Sequence, residues 1–272
     1  MKWPSPRQIS ARSLRIWQRN FSIYRQNWKI SFLPPLLEPL LYILAFGVGL
    51  AVLVGEFDYD GETLSYTTFI APALISVANG VQCDFCHRMY DPFFETTYNS
   101  FVRMYYQKTF DALLATPLNL EEIILGEMLW AATKSVIAAT LMGLVISLCG
   151  FLAYPGALLV IPLAALGGLL FAALGMICTA LVPGIETFNL PIFLGITPMF
   201  LFSGTFFPLQ NLPGWAQTVA HLLPLTHLVA LVRGCSLHLW SNALWLSLLY
   251  LLGAVLLLLP LAIALMVRRI VI

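Results

Sequence analysis

The chain has 272 residues, of which 60% are apolar and 10% charged, and its formal net charge is +1. That balance excludes a soluble domain and marks an integral membrane protein, while the near-zero sum names no partner because the charges are sorted along the chain. Five cysteines, mostly inside apolar runs, exclude a secreted disulfide framework, and the arginine-bearing start lacks the apolar core and cleavage site of a signal peptide.

Residues 10–28 are expected to form an interfacial helix. Leu14, Trp17, Phe21, Tyr24 and Trp28 recur at three-then-four spacing on one face, and Arg12, Arg15 and Arg19 line another. A basic helix with an aromatic face is expected to lie in the membrane surface, its rings at headgroup level and its arginines near lipid phosphates. Pro34 and Pro35 end it, and the chain turns into the bilayer.

A spanning helix needs about 20 apolar residues. Six segments meet or approach that length: Leu36 to Val54, Leu64 to Cys86, Ile123 to Tyr154, Ala157 to Val182, Asn189 to Leu209 and Ala243 to Val267. The expected fold is therefore an all-α, six-span single membrane domain over residues 1–272, without internal repeats. Seven basic residues precede the first span, Arg268 and Arg269 follow the last, and the first loop is acidic at Glu56, Asp58, Asp60 and Glu62. Basic flanks stay on the cytoplasmic side during insertion, so both termini are expected there. The connection carrying Arg88, Arg103 and Lys108 and the turn at Pro183 to Thr187 are expected on the same side.

Between the second and third spans lies a short amphipathic elbow, Lys108 to Trp130, divided by Pro117. Asn119 followed by Glu122 is a capping-box-like start that places the third helix near Leu120. Between the fifth and sixth spans, residues 208–240 are too apolar for a free loop and too broken by Pro208, Pro213 and Pro224 for one span. They are expected to form short re-entrant helices on the outer side, buried against protein.

No phosphate-cradling loop is present, since Gly126 with Lys134 and Ser135 has the wrong spacing, so any ATP and Mg must be bound by another chain. Cys83-Asp84-Phe85-Cys86-His87 has the spacing of a haem-attachment pentapeptide, but the expected topology puts it on the wrong side, and a structural role is favoured over thiol, metal or redox chemistry. Glu38 in the first span must face protein or water, because a carboxylate at the bilayer centre costs roughly 2.5–3.5 kcal/mol. Glu127 and Lys134 share a face of the third span and need neutralising by other helices or by headgroups, and Asp84 and Arg88 are spaced for a local pair. His221, His227 and Arg233 sit in the broken outer segment, where they cap or hydrogen-bond the short helices or meet an anionic headgroup. Tyr66, Phe69, Phe85, Tyr90, Phe93 and Phe94 either line a route or mark an interface.

The basic N-terminal helix, the six spans, the elbow and FSGTFFPLQNLPGWAQTVAHLLPLTHLVALVRG together resemble the membrane subunit of the ABC-2 family of ATP-binding-cassette exporters. EPLLYILAFGVGL, FETTYNSFVRM and DALLATPLNLEEIILGEMLW look like its nodulation-protein-J subgroup, whereas CDFCHRMYDP departs from it. The resemblance implies a non-enzymatic transport subunit of a bacterial inner membrane, paired with a second copy and two cytoplasmic ATPase subunits, with no nucleic-acid role and no metal site of its own. It implies that Lys108 to Thr116 is the coupling helix, with Phe110, Leu113 and Leu114 as anchors in an ATPase groove, Lys108, Asp111, Thr116 and Pro117 around them, and substitutions at Phe110 or Leu113 leaving the fold intact. The cargo it implies is an amphiphile with a sugar or polar head, such as a glycolipid, lipo-oligosaccharide or polysaccharide. A drug or lipid exporter, a redox enzyme using Cys83, Cys86 and His87, and a membrane scaffold are the alternatives.

Overall fold

A computed structural model describes residues 11–26, 37, 40–59, 62–80 and 92–271. Trp28, Glu38, Cys83, Asp84, Phe85, Cys86, His87, Arg88 and Tyr90 lie outside the described residues.

Helix α1 (Ser13–Gln26) is followed by α2 (Leu40–Val54), which is wound as a π-helix over Ile43–Leu50. The acidic connection after it is not a bare loop. It pairs as an antiparallel ribbon, β1 (Glu56–Tyr59) with β2 (Glu62–Ser65), in the register Glu56↔Ser65 and Tyr59↔Glu62. The ribbon is a local addition to an otherwise helical fold, and its cause is a period-two alternation. Phe57 and Tyr59 point to one side and meet the ring of Phe69 edge-on at 5.2 and 5.1 Å, while Glu56 and Asp58 point away to solvent.

Phe69 belongs to α3 (Tyr66–Gly80). Beyond it, where an extramembrane connection was expected, residues 92–106 form a further helical segment, α4, assembled from one α-turn and two π-turns. Its first ten residues are mostly buried, including Phe93, Phe94, Glu95, Thr96, Thr97, Ser100 and Phe101. Hydropathy misses it because its polar side chains are satisfied internally: Thr97 donates to Phe93 O at 2.7 Å, Thr96 to Pro92 O at 2.9 Å, and Thr179 to Thr96 O at 2.8 Å. The short helix α5 (Thr109–Leu114) then leads to α6 (Leu120–Leu148), whose start is the expected capping box, with Asn119 N–H donating to Glu122 Oε2 at 3.0 Å.

Helix α7 (Val160–Leu181) returns beside α6, α8 (Ile185–Phe202) follows, and the chain closes with α9 (Gly214–Leu222), α10 (Pro224–Leu237) and α11 (Asn242–Val271). Prolines 208, 213 and 224 each stand at the start of a short helix, where a missing N–H breaks no ladder, and α9 and α10 meet at 86°. Among the described residues, four helices (α6, α7 with its lead-in turn, α8 and α11) are long and apolar enough to cross a bilayer, or five if the bent pair is one span. The expected first and second spans correspond to α2 and α3, both shorter apolar helices.

The elements sort by charge. At one end α1 meets the 107–119 elbow, where Arg12 donates to Pro117 O at 2.8 Å, and Arg269 of α11 donates to the carbonyls of Thr179 and Val182. The opposite end gathers the acidic ribbon, the α6–α7 turn and residues 203–241; there Ala153 N–H donates to Ser236 O at 2.9 Å. The core has two main clusters: Phe69, Leu74, Phe171 and Leu228 centre the one toward the acidic end, and Ile16, Phe110, Ile123 and Met176 the one toward the basic end.

Helices approach closely where small residues permit it. A Cβ on Gly175 of α7 would lie 2.3 Å from Thr96 Oγ1 and 2.7 Å from Phe93 O, so this glycine seats α4. Gly175→Val is expected to destabilise the protein by roughly 1–3 kcal/mol, the range for overpacking. Thermal unfolding in detergent will show the loss, while Gly195→Ala, with open space around it, leaves the transition unchanged.

Candidate functional site

Near the basic end, three elements converge on two fully buried carboxylates. Glu95 of α4 is 1% exposed and Glu127 of α6 is 0% exposed. Glu95 accepts from Lys134 Nζ and from Arg103 Nη2, both at 2.8 Å, and from Asn99 Nδ2 at 2.6 Å. Arg103 also donates to Glu127 Oε2, whose partner oxygen accepts from Asn20 Nδ2 at 3.1 Å and from Arg19 Nη2 at 3.4 Å. One guanidinium therefore bridges both acids, and the network joins α1, α4 and α6. Glu127 and Lys134 are neutralised by other helices, as their position demanded.

The network explains how α1 packs. Its buried face is Ser13, Ile16 and Asn20, while Leu14 and Phe21 of the expected apolar face are 51% and 40% exposed. Polar residues turn inward because a buried carboxylate waits there, and Gly126 lets them approach: a Cβ on it would lie 2.6 Å from that of Ile16. Trp17 donates to Thr133 Oγ1 at 2.8 Å, and Phe21 and Tyr24 meet the Trp130 ring at 6.4 and 5.5 Å. The arginine row is correspondingly split. Arg15 is exposed, Arg12 reaches Pro117, and Arg19 turns to Glu127, which corrects the expectation that all three face lipid phosphates. Burial lowers the Arg19 pKa, with Glu127 opposing that shift and Arg103 reinforcing it.

The elbow residues also divide. Lys108 has φ 50° and starts α5 from the left-handed region. Phe110 is 1% exposed and packs among Ile16, Met104, Ile123 and Met128 of its own chain. It is thus an internal anchor and not a free knob for a partner's groove, a correction that follows from the tight turn folding α5 back beneath α6. Leu113 is half-buried, whereas Leu114, 39% exposed, and the neighbouring Asp111, Thr116 and Pro117 face outward.

At the acidic end Arg233 is 4% exposed. Its Nε donates to Phe69 O at 3.2 Å, its Nη2 to Gly204 O at 2.9 Å, and its guanidinium lies 3.7 Å from the Phe69 ring centre and 5.4 Å from that of Tyr59. It ties α10, α3, the 203–205 turn and the ribbon together. His227 is held between Ser247 Oγ at 3.0 Å and His221 O at 2.9 Å, and the His221 ring is exposed. The carbonyl requires a proton on Nε2, so in the neutral ring Nδ1 accepts from Ser247. Tyr66 and Phe69 are 4% and 0% exposed inside the core, as are Phe93 and Phe94, so these rings do not line an open route within this chain.

Sequence reasoning missed Glu95, Asn99, Arg103 and Asn20 as a connected set. The available signal was Glu127 and Lys134 stranded in an apolar helix, which demanded opposite charges from elsewhere.

The chain matches the family model of the ABC-2 type transporter over residues 13–237. It is 39% identical over 220 residues to Nodulation protein J of Rhizobium leguminosarum bv. trifolii, covering 81% of this chain and 79% of that protein. It is 37% identical over 220 residues to Nodulation protein J of Rhizobium meliloti strain 1021, covering 81% of this chain and 79% of that one. With the inner membrane transport permease YadH of Escherichia coli K12 it shares 22% identity over 216 residues, covering 79% of this chain and 78% of the permease.

Removing one partner from a buried charge cluster costs about 3–5 kcal/mol, because the other charges are left behind. Glu95→Ala removes a buried carboxylate from Lys134 and from Arg103, which keeps Glu127, and is expected to lower stability by about that amount, whereas Arg19→Ala, at the half-exposed edge, costs about 1 kcal/mol or less. Denaturant unfolding of the two variants in detergent measures the difference.

Proposed function

The chain belongs to the ABC-2 type transporter family, and from that premise we propose that it is the membrane half of an exporter whose α5 receives mechanical work from a separate ATPase subunit. A permease subunit of this family moves a substrate and leaves ATP hydrolysis to its partner. The observation that carries the reading is the cross-bracing behind α5. Phe110 locks the short helix onto the base of α6, and the Glu95–Arg103–Glu127 network locks α6 to α4 and α1. A push on the outward residues Asp111 and Leu114 would therefore move three elements as one body, not bend a single helix.

In this reading the coupling helix lies within residues 108–116 and α1 is the interfacial helix. The basic end with both termini faces the cytoplasm of a bacterium with an inner membrane, and residues 208–240 re-enter from the outer side. The charge sorting supports that orientation, since arginines gather at one end and Glu56, Asp58 and Glu62 at the other. A second copy of the chain completes the path, and two ATPase subunits hold ATP and Mg. The cargo is an amphiphile with a polar or sugar head. The resemblance to nodulation-protein-J relatives supports this, and the mixture of buried polar groups and apolar walls at the acidic end is compatible with it.

Leu114→Asp is expected to reduce ATPase stimulation and co-purification of the partner by roughly tenfold, the loss expected of an interface anchor. The melting temperature should not move, since the side chain lies outside the core. Phe110→Ala should do the opposite first, lowering stability by roughly 3–5 kcal/mol through the cavity it leaves. Full coupling in Leu114→Asp, measured as ATPase rate in reconstituted complexes, would contradict the docking role.

A further inference from the structure

The two ends of the molecule treat their buried cations differently. At the basic end Arg103 and Lys134 each meet a carboxylate. At the acidic end Arg233, only 4% exposed, forms no ion pair among the described residues. Its Nε donates to Phe69 O and its Nη2 to Gly204 O and Thr205 O, and the Tyr59 hydroxyl is a further polar neighbour. These partners are neutral dipoles, which orient the guanidinium without cancelling its charge. A buried cation with no counter-charge is costly, and an anion brought beside it removes that cost.

There is room for one. Arg233 lines a cavity of about 530 Å³ between α9, α10 and α11. No carboxylate is among its lining residues, and the acidic ribbon contributes only Tyr59. Thr226, Ala230 and Arg233 follow at steps of four and three along one face of α10, so they line the cavity together. Thr226 Oγ1, on a residue 3% exposed, has no hydrogen-bond partner among the described residues, and a buried hydroxyl without one is unfavourable until a ligand supplies it. Helix α10 opens at Pro224 after Leu223, which gives no side-chain cap, and Thr226 and His227 of this first turn belong to the lining. The positive end of the helix dipole is therefore directed at the same space. A guanidinium, a spare hydroxyl and an uncapped helix start all favour a group with several anionic acceptor oxygens, and phosphate is such a group.

The neighbouring surface indicates what carries the phosphate. Leu244 of α11 belongs both to this cavity and to an apolar groove of about 410 Å³ lined by Leu163, Leu231, Trp240, Trp245 and Leu252. A free anion leaves that groove unused, whereas a lipid fills it with an acyl chain, its headgroup level marked by the two indoles. We propose that Arg233 and Thr226 hold the phosphate of an anionic membrane lipid of phosphatidylglycerol type, with one acyl chain along Trp240 and Trp245. This lipid is a resident of the surrounding bilayer, distinct from any cargo, and supplies the counter-charge that the chain itself lacks at Arg233.

Photolabelling of the full chain in phosphatidylcholine nanodiscs tests this. Two probes carry the same diazirine on one acyl chain, one with a phosphatidylglycerol head and one with a phosphatidylcholine head, and the labelled peptides are read by mass spectrometry. The glycerol probe should label residues 159–166 and 240–252 about tenfold more than the choline probe, the ratio that one charge-assisted hydrogen bond provides. Arg233→Gln should abolish that preference. Thr226→Val, which keeps the side-chain shape and loses only a hydroxyl unpaired within the chain, should lower it about fivefold. Labelling of residues 11–26, where Arg12 and Arg15 attract anionic heads in general, should be the same in both variants and controls for bulk lipid composition. Equal labelling of the groove by the two probes, or a full preference surviving in either folded variant, would overturn the site; if Arg233→Gln does not fold, Thr226→Val decides alone. Displacement of the groove label by millimolar inorganic phosphate would overturn the lipid as occupant and put a free anion at Arg233. The assay involves neither ATPase nor transport, so its failure leaves the exporter reading standing, and a failure of ATPase coupling leaves this site untouched.

Discussion

Arg103 bridging Glu95 and Glu127 is the interaction on which the basic half of the molecule depends. Two carboxylates in the dry interior of a bundle are tolerated only if cations and amides meet them with good geometry, because each unpaired ion carries a penalty of several kcal/mol. That requirement dictates the placement of everything nearby. It draws α4 against α6, brings Lys134 to Glu95, and turns the Asn20 face of α1 inward. Beside it Trp17, Phe21 and Tyr24 still meet Thr133 and Trp130 of α6, so polar and aromatic contacts share the seam.

The two ends of the chain solve different problems. At the basic end, close helix approach at Gly126 and Gly175 and the ion network give a braced block, to which α5 is pinned by Phe110. A rigid block suits a part that must pass a displacement on without absorbing it. At the acidic end the chain is broken into short pieces by prolines, and α9 and α10 meet at a right-angle-like bend. Broken helices leave backbone carbonyls unpaired, and Arg233 takes up those of Gly204 and Thr205 while binding the pieces to α3. The breaks are also what open polar concavities in an otherwise apolar bundle.

Much of this was legible in the residues. Pro208, Pro213 and Pro224 predict three short helices because proline cannot continue a ladder, and each begins one. Asn119 and Glu122 predict the start of α6, since a capping box is a local device needing no tertiary partner. The ribbon was legible but overlooked: Asp60-Gly61 between two alternating runs is a hairpin signal, outweighed in the reading by the acidic composition. Helix α4 was hard to see, because hydropathy counts Glu95, Thr96, Thr97 and Asn99 as solvent-seeking whatever they bond to.

The sequence by itself determined the class of the protein, the sorting of its charges along the chain and the local stops and starts of its helices. All of these follow from composition and from neighbours a few residues apart. Only the tertiary structure decided which side of α1 is buried, that Phe110 is buried while Leu114 is exposed, that Arg233 is a strut, and that two neighbouring concavities share Leu244. The physical reason is common to these cases. Amphipathic periodicity states that a helix has two faces, but what each face meets depends on residues distant in the chain, a buried charge among them.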